Sequence, residues 1–300
     1  MNDFFDFSDR DSCEVAIRKT WNEFRQKLSD KKFAYDDVEN ALQTVFLKTF
    51  DDMFQNTHQH LDKLAVDALS NDTCVMRAAR LKPGDPEPEY SRFIPNAAFM
   101  TEHNRFSPPD VEWLYLAFSD EQSCDEDFSI AEKCALKECR AVKGERFALC
   151  EFRLDKSNEG KKVVDLTIAD DIEYSDINSQ LSQVVQNICD REVKKGLSAL
   201  KRGMRPKANS DDIKPEIEKW VVYTHAKLMS EQIFVPLTTE DKNIMYAPFQ
   251  CLAQYFLSKG YYGIVYSSTV FPEGKNIVLF DKNFALPVGK IKTLTVPSTF

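Results

Sequence analysis

No Gly-x-Gly-x-x-Gly run, Walker-type phosphate loop, Gly-x-Ser-x-Gly elbow or Cys-x-x-Cys pair occurs in the 300 residues. The usual sequence routes to dinucleotide binding, serine hydrolysis and zinc binding are therefore absent. The eight cysteines are scattered, from Cys13 to Cys251, and read as reduced and mostly buried. His58 and His60 stand two apart, on different sides of any helix, with nothing nearby to complete a ligand set, so no metal is expected. Long apolar runs are missing too. The start, MNDFFDFSDRD, has neither a basic beginning nor an extended apolar stretch, so no signal peptide or membrane span is expected and the cytoplasm is the expected location. The chain lacks an excess of cations: its net charge of −9 argues against binding the phosphate backbone of nucleic acid, which needs Lys and Arg to displace counterions.

Glycine and proline are also absent from Met1 to Lys82. That segment reads as helical, with Trp21, Phe24 and Leu28 on one stripe and Val38, Leu42, Val45, Phe46, Phe50, Met53, Phe54, Leu61, Leu64 and Ala68 on a second. Two amphipathic helices follow from this, joined near Asp30 to Tyr35, and their apolar faces require a partner surface. The texture changes at Cys74. Val75 to Arg80 and Trp113 to Phe118 read as strands, with Pro-rich turns between them, and Phe147 to Leu154 and Val163 to Ile168 as further strands joined by the polar SNEGKK in a hairpin. The stretch from Ser119 to Glu132 carries six carboxylates and no cation, as a solvated loop does. Residues 175 to 203 form a long helix, with Ile177, Leu181, Val184, Val185, Ile188 and Leu197 assigned to one side and a basic end, and a further helix spans Ile217 to Ser230.

Tyr246 to Phe280 is the most sharply written part. Phe249, Leu252, Ala253, Phe256 and Leu257 repeat at helical spacing, and Gly260 stands where a left-handed residue closes a helix. Gly263 to Tyr266 and Ile277 to Phe280 are short strands flanking Ser267, Ser268, Thr269 and the Gly274 loop. Hydroxyls at a strand end more often cap or turn the backbone than bind a ligand. Strands and helices without regular βαβ alternation give an α+β fold with a mixed or antiparallel β core.

Five pieces in chain order carry a family likeness: Arg77-Ala-Ala-Arg80; Arg105-Phe-Ser-Pro-Pro with Leu114-Tyr-Leu-Ala117; Ala135-Leu-Lys-Glu138-Cys-Arg140; Val164-Asp-Leu-Thr167; and Gly263-Ile-Val-Tyr-Ser-Ser268 with Gly274 to Phe280. This order resembles the RES-domain family, whose members consume NAD+ or transfer its ADP-ribose on a fold similar to the ADP-ribosyltransferase toxins. The resemblance covers about Val75 to Phe280. It divides the chain into an N-terminal helical region, 1 to 72, and a catalytic region, 73 to 300, with a helical insertion at about 172 to 235.

The resemblance implies an NAD+-degrading toxin or defence effector, a glycohydrolase or phosphorylase, with NAD+ as substrate and no permanently bound cofactor. The alternatives are a mono-ADP-ribosyltransferase acting on a protein and a non-catalytic interaction module. Glu138 would act on the ribose, where a carboxylate can stabilise an oxocarbenium-like state. On the sequence it is read as a strand residue. Arg77 and Arg105 would hold the pyrophosphate with planar, two-pronged hydrogen bonds. Tyr115 would pack on nicotinamide or ribose, Ser268 or its neighbour Ser267 would bind ribose or phosphate, and Asn276 would brace the loop. Glu126, nearer the family's usual spacing, stands as an alternative to Glu138, and Arg80 to Arg77. An inhibitory antitoxin or regulatory protein is implied as partner, and a homo-oligomer is left open.

Overall fold

The computed structural model describes residues 10–69, 73–119, 128–205, 212–234 and 242–298. In chain order the elements are α1 (Arg10–Ser29), α2 (Val38–Ala41), α3 (Val45–Thr57), β1 (Asp62–Leu64), α4 (Ala65–Ala68), β2 (Cys74–Leu81), β3 (Leu114–Ser119), α5 (Ile130–Glu138), β4 (Arg146–Leu154), β5 (Lys162–Asp165), α6 (Tyr174–Lys201), α7 (Lys214–Phe234), α8 (Lys242–Ser258), β6 (Gly263–Ser267), β7 (Lys275–Leu279) and β8 (Ala285–Thr295). The strands form one mixed sheet in the order β1-β5-β6-β7-β3-β2-β4-β8. Every pairing is antiparallel except β5 with β6. The chain is thus α+β, as its patterning predicts.

The apolar stripe of α1 buries Trp21, Phe24 and Leu28, and that of α3 buries Phe46, Phe50 and Phe54. Both stripes meet α7 and α8 in one cluster that also takes in Ile264 and Tyr266 of β6. Each large side chain so buried contributes about 1.5–3 kcal/mol through area removed from water. The N-terminal helices therefore share the core of the strand-bearing region. Trp21 fixes its indole N–H on Gln232 of α7 at 2.9 Å, and its ring meets Phe46 edge-on at 5.0 Å.

Three local expectations change. The second helical stripe does not run unbroken from Val38 to Ala68: after α3 a single 3-10 turn leads into β1. Tertiary partners break the period, because Asp62 is taken by Lys162 at 2.6 Å, Tyr261 at 2.5 Å and His58 at 3.0 Å. Second, β4 and β5 are not a hairpin. β4 lies between β2 and β8, whereas β5 is inserted between β1 and β6, where Val163 and Val164 are both fully buried on opposite faces. Third, Leu197 leaves the stripe of Ile177, Leu181 and Ile188 and is 54% exposed. At 100° per residue it lies about 160° around the helix from Ile177.

Two features of the sheet place the site. Tyr266, Asn276, Ala117 and Met76 are successive register partners across β6, β7, β3 and β2, so their side chains share one face. The β2–β3 ladder has only three pairs and ends at Met76↔Ala117. Beyond it, β2 continues along β4 while β3 continues along β7, and Arg77 comes at this divergence.

Candidate active site

Glu138 is the last residue of α5, a helix rather than a strand. Ser129 and Glu132 close a reciprocal capping box at the start of that helix, and the Ser-x-x-Glu spacing is the sequence signal that marks it. At the other end Arg80 donates to the carbonyls of Cys139 and Arg140 at 3.0 and 3.2 Å, pairs with Glu145 at 2.8 Å and lies over the Phe147 ring. Arg80 thus ties down the turn that follows Glu138, where Arg140 adopts φ +53.

The Glu138 side chain is exposed, yet its Oε1 is gripped by two buried donors: Ser268 Oγ at 2.7 Å and Asn276 Nδ2 at 2.6 Å. Both donors have fixed orientation. Ser268 Oγ accepts from the amides of Val270 and Phe271 at 3.3 and 3.1 Å, which occupies its lone pairs and turns its proton to Glu138. Asn276 Oδ1 accepts from the thiol of Cys134 at 3.7 Å, which leaves the NH2 facing the carboxylate. Burial, followed by the Glu138 charge, pushes the Cys134 thiol up to about 12, so it stays a donor. The contact of α5 with this loop depends on Gly274: a Cβ there would stand 2.5 Å from Cys134 Sγ.

Ser267, one residue earlier, goes elsewhere. It donates to Asp170 together with Ser230, and Asp170 is raised from the ordinary carboxyl range by burial. Of the two adjacent serines, only Ser268 reaches Glu138.

Tyr115 is half-buried on β3. Its hydroxyl meets Ser107 Oγ at 2.9 Å, and burial raises its pKa well above the usual phenol value. Tyr266, 8% exposed, packs on Phe106 at 4.9 Å and is raised in the same sense, first by burial and then by Glu138 and Tyr115. Tyr115 and Tyr266 lie on the sheet face of Asn276, the residue that holds Glu138. Tyr266 lies within the motif read from the sequence without being singled out; its position across from Asn276 depends on strand register.

The arginines differ sharply. Arg105 donates to the carbonyl of Ile233 at 2.5 Å, near the end of α7, and its guanidinium lies over the rings of Tyr246 and Phe249. Arg77 has a buried Nη1 without a hydrogen-bond partner. Burial pulls its pKa down to about 10, opposed by Cys139 and Tyr115, so it is still a cation at neutral pH. Between Arg77 and Arg80, the former keeps an uncommitted donor and the latter is spent on the turn after α5. Arg77 also lines a cleft of about 900 Å3 walled by the segment from Asp85 to Met100. Glu126 lies outside the described residues. Among the described residues no group of three or more His, Cys, Asp or Glu side chains could hold a metal, and no helix is long and apolar enough to cross a membrane.

No family model and no curated protein matches this chain. A chain in the crystal structure of the M. tuberculosis MbcT–MbcA toxin–antitoxin complex aligns over 82% of this chain and 92% of its own length, at 8% identity and a TM-score of 0.34, a similarity too slight to assign family or activity.

Proposed function

We propose that this protein is an NAD+-consuming enzyme of the RES type that breaks the nicotinamide N-glycosidic bond, with Glu138 as its catalytic carboxylate. The observation that carries the reading is the grip on Glu138: an exposed carboxylate held through Oε1 by the buried Ser268 and Asn276, which leaves Oε2 for a ligand. A packing module has no need of two buried, oriented donors on an exposed acid. In the reaction the C1′–N bond breaks, its electron pair passes to the pyridinium nitrogen, and neutral nicotinamide leaves. Glu138 stabilises the positive charge that develops on the ribose and accepts the proton of the attacking water or phosphate. Ser268 and Asn276 act as positioning residues that aim the carboxylate. Tyr115, its hydroxyl tied to Ser107, offers a ring face to the nicotinamide riboside, and Arg77 has an unspent donor for the pyrophosphate.

Such an activity drains a cytoplasmic NAD+ pool, and the reading accordingly includes a toxin role and a protein that restrains it. The test is nicotinamide release from NAD+, with and without phosphate, by the wild type and Glu138→Gln. The variant keeps the side-chain shape and removes the charge, so release should fall about 10²–10³-fold, as for loss of a pre-organised electrostatic contact. Equal release by both proteins overturns the assignment. Nicotinamide release that depends on an added protein and is matched by ADP-ribose on that protein, with no free ADP-ribose or ADP-ribose phosphate formed, would mark a mono-ADP-ribosyltransferase instead.

A further inference from the structure

We infer that the free end of α6, from Val193 to Met204, is a docking surface for an acidic amphipathic helix of a partner protein. That helix lays its apolar seam on Val193, Leu197, Leu200 and Met204 and its carboxylates beside Lys194 and Lys201. The inference is independent of the NAD+ reading, because the hold on Glu138 comes from Ser268 and Asn276, neither of them on α6.

The two halves of α6 differ in what they cover. Its first half buries Ile177, Leu181 and Ile188, and Trp220 of α7 donates to Asn178 there at 2.8 Å. From Cys189 to Arg205 no residue is buried. That end nevertheless carries four large apolar side chains, Val193, Leu197, Leu200 and Met204, each 54–61% exposed. Their spacing of four, three and four residues is that of a coiled-coil seam, and at 100° per residue the three within the helix fall inside an arc of about 60°. The helix closes behind them on a left-handed Gly203 at φ +69, with the N–H groups of Gly203 and Met204 donating to the carbonyls of Leu200 and Ala199, both at 2.9 Å. So narrow a seam suits one facing helix, and it has none of the Trp or Phe that anchors a helix lying on a membrane.

Charge selects the partner. The stretch from Cys189 to Arg205 holds six cations and two carboxylates, in a chain whose net charge is −9. Both carboxylates are already engaged: Glu192 takes Lys195 at 2.6 Å, and Asp190 accepts from Gln186 at 2.9 Å. Arg191 is paired with Asp212, whereas the side chains of Lys194, Lys201 and Arg202 are exposed and have no ion pair or hydrogen bond among the described residues. Lys194 and Lys201 stand seven residues apart and about 20° from each other around the helix, along one flank of the seam. Charge at such flanking positions decides partner choice between paired helices. A groove of about 660 Å3, with Lys194, Arg202 and Met204 in its lining, joins the cationic flank to the apolar end. A second copy of this chain would set these cations against cations, and a nucleic-acid backbone has no use for the apolar seam. The acidic balance of the rest of the chain opposes an anionic lipid surface. A helix with an aliphatic seam and Glu or Asp along the matching flank satisfies both features.

The test uses the full chain and labelled synthetic peptides of a few heptads, with Leu at the seam positions and either Glu or Lys at the flanking ones. By fluorescence anisotropy the wild type should bind the Glu peptide and not the Lys peptide, the more weakly as salt is raised. Leu197→Ser combined with Leu200→Ser should weaken that binding by about tenfold or more, with an unchanged melting temperature because both side chains are exposed. Lys194→Glu combined with Lys201→Glu should exchange the preference, losing about tenfold or more on the Glu peptide and gaining the Lys peptide. This swap decides the matter even if the serine variant unfolds. Failure of the wild type to bind the Glu peptide, equal binding of the two peptides, or the wild-type preference retained in the charge-swapped variant overturns the inference. Two results would overturn it in favour of another occupant. Self-association of the wild type without peptide binding, abolished by the serine substitutions, marks an interface between copies of this chain. Binding to phosphatidylserine vesicles without peptide binding marks a membrane surface.

Discussion

Exchanging Asn276 for Asp alters one atom group and tests the grip on Glu138 without removing Glu138 itself. In the wild type, Asn276 Nδ2 donates to Glu138 Oε1 at 2.6 Å, and Cys134 holds the amide in that orientation. Asp in the same rotamer replaces the donor with an oxygen, so two carboxylates face each other. At about 3 Å and an effective dielectric constant of ~20, two full charges repel by roughly 5 kcal/mol. That exceeds the ~1.4 kcal/mol per pH unit needed to retain a proton, so the pair keeps one proton well above the ordinary carboxyl range. Two consequences can be measured. Nicotinamide release by Asn276→Asp should be depressed at neutral pH and recover as pH rises, whereas Asn276→Ala should be impaired without that recovery. Stability supplies a readout independent of activity. A carboxyl whose folded pKa is raised contributes stability that is present at low pH and lost as pH rises through the folded value. The melting temperature of Asn276→Asp relative to wild type should therefore fall from pH 5 to pH 8. A pH–rate profile and a pH–melting profile that both superimpose on those of the wild type would refute the proposed hold on Glu138.

Two further predictions concern the scaffold. Gly274→Ala puts a methyl 2.5 Å from Cys134 Sγ and 2.7 Å from its Cβ, so it should destabilise by about 1–3 kcal/mol through overpacking, measured by urea unfolding, and should displace α5. His225, fully buried between Phe46 and Phe50 with Nδ1 2.8 Å from the Val221 carbonyl, is pushed by burial down to about 4. A histidine depressed on folding contributes stability that is present above about pH 6.5 and lost as pH falls towards 4, about 3 kcal/mol in all. The urea midpoint should decline over that window, and His225→Phe should remove that part of the slope.

Patterning in the sequence settled a good deal of this protein. The 3.6-residue stripes of α1 and α8, the left-handed Gly260 at φ +84 and the strands around Arg77, Tyr115 and Ser268 are all local, because helix period, strand alternation and chain reversal depend on near neighbours. The pieces that form the candidate site were legible for the same reason: each is a short run with its own chemistry. Tertiary structure decided everything that depends on register or on distant partners. It made residues 130–138 a helix that ends at Glu138, although a capping box signalled as much, and broke the stripe after α3 through Asp62 and its partners from residues 162 and 261. It selected Ser268 over Ser267 and set Arg77 apart from Arg80, because neighbours in sequence point to different partners once the strands are paired. It also placed Tyr266 opposite Asn276 and set the segment from Asp85 to Met100 against Arg77 and Leu81 of β2 to form a cleft. Residue type fixes what each group can do; only packing across some 130 residues of sequence brings Ser268 and Asn276 onto one oxygen of Glu138.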